Sequence, residues 1–128
     1  MIVDTSAIIA ILFGEADSDH YDRAIAAAPN CHMSVANFIE ATIVLESREG
    51  IGAGHEFDAY LEESGIELVP VTVEQARAAR RAWQRFGRGN HPAALNLGDC
   101  FAYALAEATG EPLLYKGEDF ALTDIPAA

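Results

Sequence analysis

The sequence predicts one compact α/β domain with a central, mostly parallel sheet flanked by helices. Short apolar runs of strand character (MIVD, CHM, IELVPV and PLLYK) are separated by longer segments with helical spacing. That alternation is the mark of parallel strands joined by crossover helices. The chain has 128 residues, of which 51% are hydrophobic and 22% charged, which suits a single globular core and not a disordered chain. No repeat, low-complexity tract or second domain divides residues 1–128.

Met1–Asp4 reads as a buried strand by its Ile and Val content. Thr5 or Ser6 then caps a helix over Ala7–Phe13, which Gly14 ends. A second helix runs from Ala16 to Ala28 and is closed by Pro29, and Cys31–Met33 forms a brief strand. Ser34 is the N-cap of a helix reaching Glu49, whose apolar positions Val35, Phe38, Ile39, Thr42, Ile43 and Leu45 recur at helical spacing. Gly50, Gly52 and Gly54 read as a loop, and His55–Glu63 as a helix ended by Gly65. Ile66–Val71 is strand-like, with pairing limited by Pro70.

Thr72-Val73-Glu74-Gln75 has the form of a capping box and opens a helix through Phe86. GRGNHPAALN is a loop by its Gly, Asn and Pro content. Asn96 caps a helix over Leu97–Thr109, and Gly110 stops it. PLLYK is the last strand, GEDF is a turn, and the tail adds little. In open parallel sheets ligands sit beyond the carboxyl ends of the strands. Asp4 lies at the end of the first strand, and Lys116 to Asp119 lie just past the last.

Composition narrows the function classes. A net charge of −12 argues against generic nucleic-acid binding, because a polyanion is repelled. The charge is polarised, however: residues 72–88 carry five arginines and one glutamate, a net +4 that leaves −16 for the rest. No apolar run is long enough to span a membrane, and the opening lacks the basic n-region of a signal peptide. Cys31 and Cys100 are one pair in a chain with an ample core, which reads as reduced thiols in a cytoplasmic protein.

Four acids stand apart from this pattern. Asp4 sits between Ile2-Val3 and an apolar helix, where an ionised carboxylate needs donors or a cation. The N–H groups of the following helix are one source of donors. Glu40, on a helix face shared with Ile43 and Val44, reads either as a boundary carboxylate or as a site acid. Asp99, three residues after Asn96, suits the helix dipole. Asp119 alone is a turn residue. Convergence of the four changes the balance, because two like charges ~4 Å apart repel by roughly 4 kcal/mol at an effective dielectric near 20. Oxygen-only ligands of this kind suit Mg²⁺ or Mn²⁺, ions that bind phosphates and activate water. His20, His32, His55 and His91 show no paired ligand spacing, and no Walker loop or serine nucleophile elbow is present.

MIVDTSAIIAIL, SVANFIEATIVLE, NLGDCFAYALA and PLLYKGEDF, in that order and spacing, resemble the PIN-domain toxins of the VapC type. The resemblance spans almost the whole chain and implies a PIN-like fold. It implies an Mg²⁺- or Mn²⁺-dependent endoribonuclease, the toxin half of a toxin–antitoxin pair. Asp4 and Asp99 would then be the principal metal ligands, with Glu40 completing an acidic triad directly or through water. Thr5 or Ser6 would support the site beside Asp4, and Asp119 matches a further acid of the family. One departure is Gly117, where many relatives carry Asp or Asn. The resemblance also implies a homodimer, an RNA substrate (tRNA or another structured RNA) and a cognate VapB-type antitoxin whose inserted Arg or Lys displaces or mimics the metal.

Arg77, Arg81 and Arg85 recur every four residues, a stripe that either holds the RNA backbone or is a solvated face paired with neighbouring acids. Lys116 would contact phosphate or neutralise the acids. A catalytically weak binding module on the same fold is the first alternative. A phospho-signalling receiver would need an acid ending a mid-chain strand, whereas Asp58 falls in a helical stretch. A phosphatase with Asp-x-Asp near its start fails at Ser6.

Overall fold

The computed structural model describes residues 1–128. Four parallel strands stand in the order β3-β2-β1-β4. They are β1 (Ile2–Val3), β2 (Cys31–Ser34), β3 (Ile66–Val69) and β4 (Leu113–Leu114). Ile2 registers with His32 on one side and Leu113 on the other, and Cys31 to Ser34 run beside Ile66 to Val69. The helices are α1 (Thr5–Leu12), α2 (Ser18–Ala27), α3 (Val35–Glu49), α4 (Ile51–Ser64), α5 (Val73–Phe86) and α6 (Leu97–Thr109).

The two-residue alternation of a strand divides the interior into two cores. Ile2 and Leu113 face α5 and α6, packing with Ala82, Phe86, Tyr103 and Phe120. Val3 and Leu114 face the opposite way, into a core built with α1, α2 and α4 around Met33, Leu45 and Phe57. Cys100 belongs to the first core and Cys31 to the second, and both are free thiols. Every strand runs toward the same edge, so Asp4, Ser34 and Lys116 all emerge there.

Several boundaries differ from the sequence reading. α1 begins at Thr5 because Asp4, not Thr5 or Ser6, is its N-cap. The stretch read as a glycine loop is helical: α4 starts at Ile51 and takes in Gly52 and Gly54. Only Gly50 turns the chain, at φ 84°, because tertiary packing of Ala53, Phe57 and Leu61 overrides the low helix propensity of glycine. Asp58 lies inside α4, so no mid-chain strand ends on an acid as a receiver requires. The tail contributes pairing after all: Leu113 N–H donates to the Pro126 carbonyl and Ala128 N–H to the Leu113 carbonyl, both at 2.9 Å.

The inward face of α3 also differs. Spacing predicts Val35, Phe38, Ile39, Thr42, Ile43 and Leu45 as its apolar stripe, yet of these only Leu45 is fully buried, beside Asn37 and Ala41. Ile39 and Ile43 are 52% and 60% exposed. The helix was legible; its rotation about its own axis was not.

Candidate metal centre

Asp4 is placed by the end of β1. Its N–H donates to the Leu114 carbonyl at 3.0 Å, and its side chain turns onto the first turn of α1. Oδ2 accepts from the Ser6 N–H at 2.9 Å and from the Ser6 hydroxyl at 2.6 Å. Ser6 Oγ accepts in turn from the Lys116 N–H at 2.9 Å, which ties the segment after β4 to the same carboxylate. Oδ1 is buried and has no partner at all. An unpaired buried acceptor costs about 1–3 kcal/mol, more when charged, which makes this oxygen a candidate donor to a cation.

Asp99 enters from α6. A capping box fixes it: Asn96 Oδ1 accepts from the Asp99 N–H at 2.9 Å, and Asp99 Oδ2 accepts from the Asn96 N–H at 3.0 Å. Glu40 enters from α3 and lies over Gly98, where its carboxylate fills the space a Cβ would need. Asp119 stands at the start of the short 3-10 turn Phe120–Leu122. Asp4, Glu40, Asp99 and Asp119 line one cavity of 280 Å³, with Thr5, Ser6 and Lys116 in its wall.

Electrostatics agree with this convergence. Burial pushes the Asp4 carboxyl from its ordinary 3.8 up to about 6; the Ser6 hydrogen bonds oppose the rise and the Glu40 charge adds to it. Burial likewise raises Asp99 from 3.8 to about 7, against the Asn96 N–H and with help from Asp4, Asp119 and Glu40. These acids feel one another.

No group of three or more His, Cys, Asp or Glu side chains is drawn together tightly enough to hold an ion in this conformation. The residues nevertheless fit a hard divalent ion: all donors are oxygens, and one is an unpartnered buried carboxylate atom.

The PIN domain family matches residues 1–126. This chain belongs to that family. Among relatives, Ribonuclease VapC of Mycolicibacterium smegmatis is 50% identical to this PIN domain over 99% of this chain and 98% of that protein. Ribonuclease VapC30 of Mycobacterium tuberculosis is 46% identical, covering 98% and 95%. In fold, this PIN domain is similar to the crystal structure of Mycobacterium tuberculosis VapC20, a Sarcin-Ricin loop cleaving toxin. The TM-score is 0.81 at 20% identity, over 99% of this chain and 97% of that one. A toxin–antitoxin complex from Klebsiella pneumoniae aligns with TM-score 0.73 at 17% identity, over 96% and 92%. The chain is thus a PIN domain of the VapC ribonuclease group.

The remaining residues singled out in the sequence lie elsewhere or carry other contacts. Lys116 Nζ is engaged by Glu15 and Asp17, both at 2.9 Å, which raises its pKa to about 12 and lowers that of Asp17. Arg77, Arg81 and Arg85 lie outside the acid cavity. Arg77 and Arg81 are exposed. Arg85 is bound to Asp124 at 3.1 Å and to the Tyr103 hydroxyl at 3.3 Å, so it pins the tail and not a ligand.

Sequence reading missed Asn37. It is fully buried, and its Nδ2 donates to the Gly98 carbonyl at 2.9 Å. The available signal was its spacing with Ala41 and Leu45, which marks a polar residue on the inward face of α3. It also missed an exposed apolar strip formed by Ile39, Ile43 and Leu97, the last 78% exposed. The strip borders a 340 Å³ hollow that shares Glu40 with the acid cavity.

Proposed function

We propose that this VapC-group PIN domain is an endoribonuclease that requires Mg²⁺ or Mn²⁺, acting as the toxin of a toxin–antitoxin pair. The observation that carries the metal reading is the unpartnered Asp4 Oδ1 in a cavity walled by three further acids. Asp4 and Asp99 are the ligands proposed for the ion, and Glu40 supports it directly or through water. When bound, the ion supplies Lewis-acid stabilisation of a phosphodiester and makes water easier to ionise.

The chain's own residues do the rest. Ser6 holds Oδ2 of Asp4 so that Oδ1 stays free, and Asn96 does the same service for one oxygen of Asp99. The Glu40 carboxylate, which lines the cavity, is the base proposed for the proton of the attacking water, a role that needs a base within hydrogen-bond reach of it. Asp119 adds negative charge at the exposed rim and can complete a second cation position. Thr5 and Ser6 border the substrate path, and the free Arg77 and Arg81 supply positive charge for the RNA backbone.

The substrate class is structured RNA, such as tRNA or a sarcin–ricin stem-loop. The exposed strip of Ile39, Ile43 and Leu97 supports protein partners at this face: a VapB-type antitoxin and a second copy of the chain. No helix is long and apolar enough to cross a membrane, and a cytoplasmic location belongs to this reading.

The test is to incubate purified, antitoxin-free protein with end-labelled tRNA, messenger RNA and a sarcin–ricin stem-loop, in Mg²⁺, Mn²⁺ and chelator, beside an Asp99→Asn variant. Discrete fragments that need both metal and Asp99 are expected. Protein that binds Mn²⁺ yet cuts none of these RNAs would instead point to a binding module on the same fold.

A further inference from the structure

The acids that line the cavity come from separate segments: Asp4 before α1, Glu40 within α3, and Asp99 in the first turn of α6. Nothing in a parallel sheet alone fixes how far apart such segments stand, and like charges push them outward. One neutral side chain touches all of them. Asn37 lies one turn before Glu40 on α3 and is completely buried. Its Nδ2 donates to the carbonyl of Gly98, the neighbour of Asp99, at 2.9 Å, and to Oγ1 of Thr5, the neighbour of Asp4, at 3.4 Å. Thr5 Oγ1 donates back to the Asn37 main-chain carbonyl at 3.2 Å.

A second feature argues that this amide does more than complete the core. Asn37 Oδ1 is itself buried with no donor. A residue kept for packing would be an aliphatic one, because an unsatisfied amide oxygen at this depth is a standing cost that Leu avoids. What Leu lacks is the donor that joins α3 to the first turns of α1 and α6. A Lys or Arg would make the bond but would neutralise the cluster's negative charge, and an ionised carboxylate has no donor to make it with.

We infer that Asn37 is a positioning residue of the acid site, a neutral clamp that sets the spacing of Asp4, Glu40 and Asp99 before any cation arrives. The inference deepens the metal-dependent reading above and rests on it. Residues that orient metal ligands in this way are typically worth about 10–100-fold in metal affinity.

The experiment is Mn²⁺ titration by calorimetry on the full chain, with melting temperatures taken in chelator. The variants are Asn37→Leu, Thr5→Val and, as a control, Leu61→Ala in α4, where the truncated side chain belongs to the core around Phe57. Asn37→Leu is expected to weaken Mn²⁺ by about tenfold or more. Thr5→Val keeps the Gly98 bond and should weaken it less, in the same direction. Leu61→Ala should melt lower while binding Mn²⁺ as the unaltered chain does. In RNA cleavage, kcat should fall for Asn37→Leu with KM for RNA unchanged.

Mn²⁺ affinity for Asn37→Leu within twofold of the unaltered chain overturns the inference. So does an equal loss in Leu61→Ala, which would make the effect one of general instability. If Asn37→Leu does not fold, unchanged affinity in Thr5→Val decides against it. Failure of the unaltered chain to bind Mn²⁺ would sink the metal reading first, and the clamp with it.

Discussion

Replacing Asp4 by asparagine separates two things this side chain does. The amide oxygen can still accept from the Ser6 N–H and hydroxyl, so the α1 cap survives. The charge does not. In the native chain burial raises the Asp4 carboxyl from 3.8 to about 6. At 1.36 kcal/mol per pKa unit, that displacement is worth roughly 3 kcal/mol of folding free energy. The sign follows from linkage: between those two values the folded chain holds a proton that the unfolded chain has released. The Asp4 contribution to metal-free stability is therefore fully present below pH 3.8 and falls as pH rises, with the loss complete above about 6.

Asp4→Asn has no such group. It adds a buried amide N–H at the position of Oδ1, a cost that does not change with pH. The informative quantity is thus the difference between variant and parent, not either alone. In chelator that difference should move in the variant's favour by roughly 3 kcal/mol between pH 4 and pH 8, on the order of 10 °C in Tm for a domain of this size. Differential scanning calorimetry across that range measures it. A difference that stays flat, or that moves toward the parent as pH rises, would refute the claim that Asp4 is a buried, uncompensated charge. Saturating Mn²⁺ at about a hundred times Kd should stabilise the parent by roughly 2.7 kcal/mol and leave the variant nearly unmoved.

Gly98→Ala should hold or raise the melting temperature, since alanine gains up to about 1 kcal/mol in a helix and the atoms its Cβ meets are the mobile end of Glu40. Activity should nevertheless fall about tenfold as Glu40 is pushed aside, read as kcat on the RNA found above. Asp99→Asn should keep the fold, because Asn retains an acceptor for the Asn96 N–H, and lose about a hundredfold or more in cleavage. Circular dichroism beside the cleavage assay separates the two. Arg85→Ala should lower the melting temperature only slightly by freeing Asp124, with RNA affinity unchanged. Arg77→Ala and Arg81→Ala should do the reverse, weakening RNA binding and reducing its salt slope with stability within about 0.5 kcal/mol.

Asp4 and Glu40 stood out because each carboxylate interrupts an apolar context, whereas Asp99 alone read as a helix-start acid and joined them only through the joint reading and the order of the family motifs. Strand and helix order followed from hydrophobic period in the same way. Rotation of α3 did not follow, since Ile39 and Ile43 made a plausible stripe while the true inward face is Asn37, Ala41 and Leu45. Small and polar residues carry that face, and hydrophobicity alone passes over them. Gly52 and Gly54 misled because local propensity is weak against the packing of Phe57 and Leu61. Arg85 shares its helical spacing with Arg77 and Arg81, yet only the fold brings Asp124 and Tyr103 to meet it. Long-range partners leave no local trace.

Under the proposed metal reading, the arrangement at Asp4 makes the first turn of α1 a sensor. Its carboxylate lends one oxygen to Ser6 and leaves the other unpaired. A cation drawing electron density from that group would loosen its hold on the Ser6 amide. The amide resonance of Ser6 would therefore report ion occupancy with no RNA present, and a titration followed there would separate the filling of the site from the cutting of a substrate.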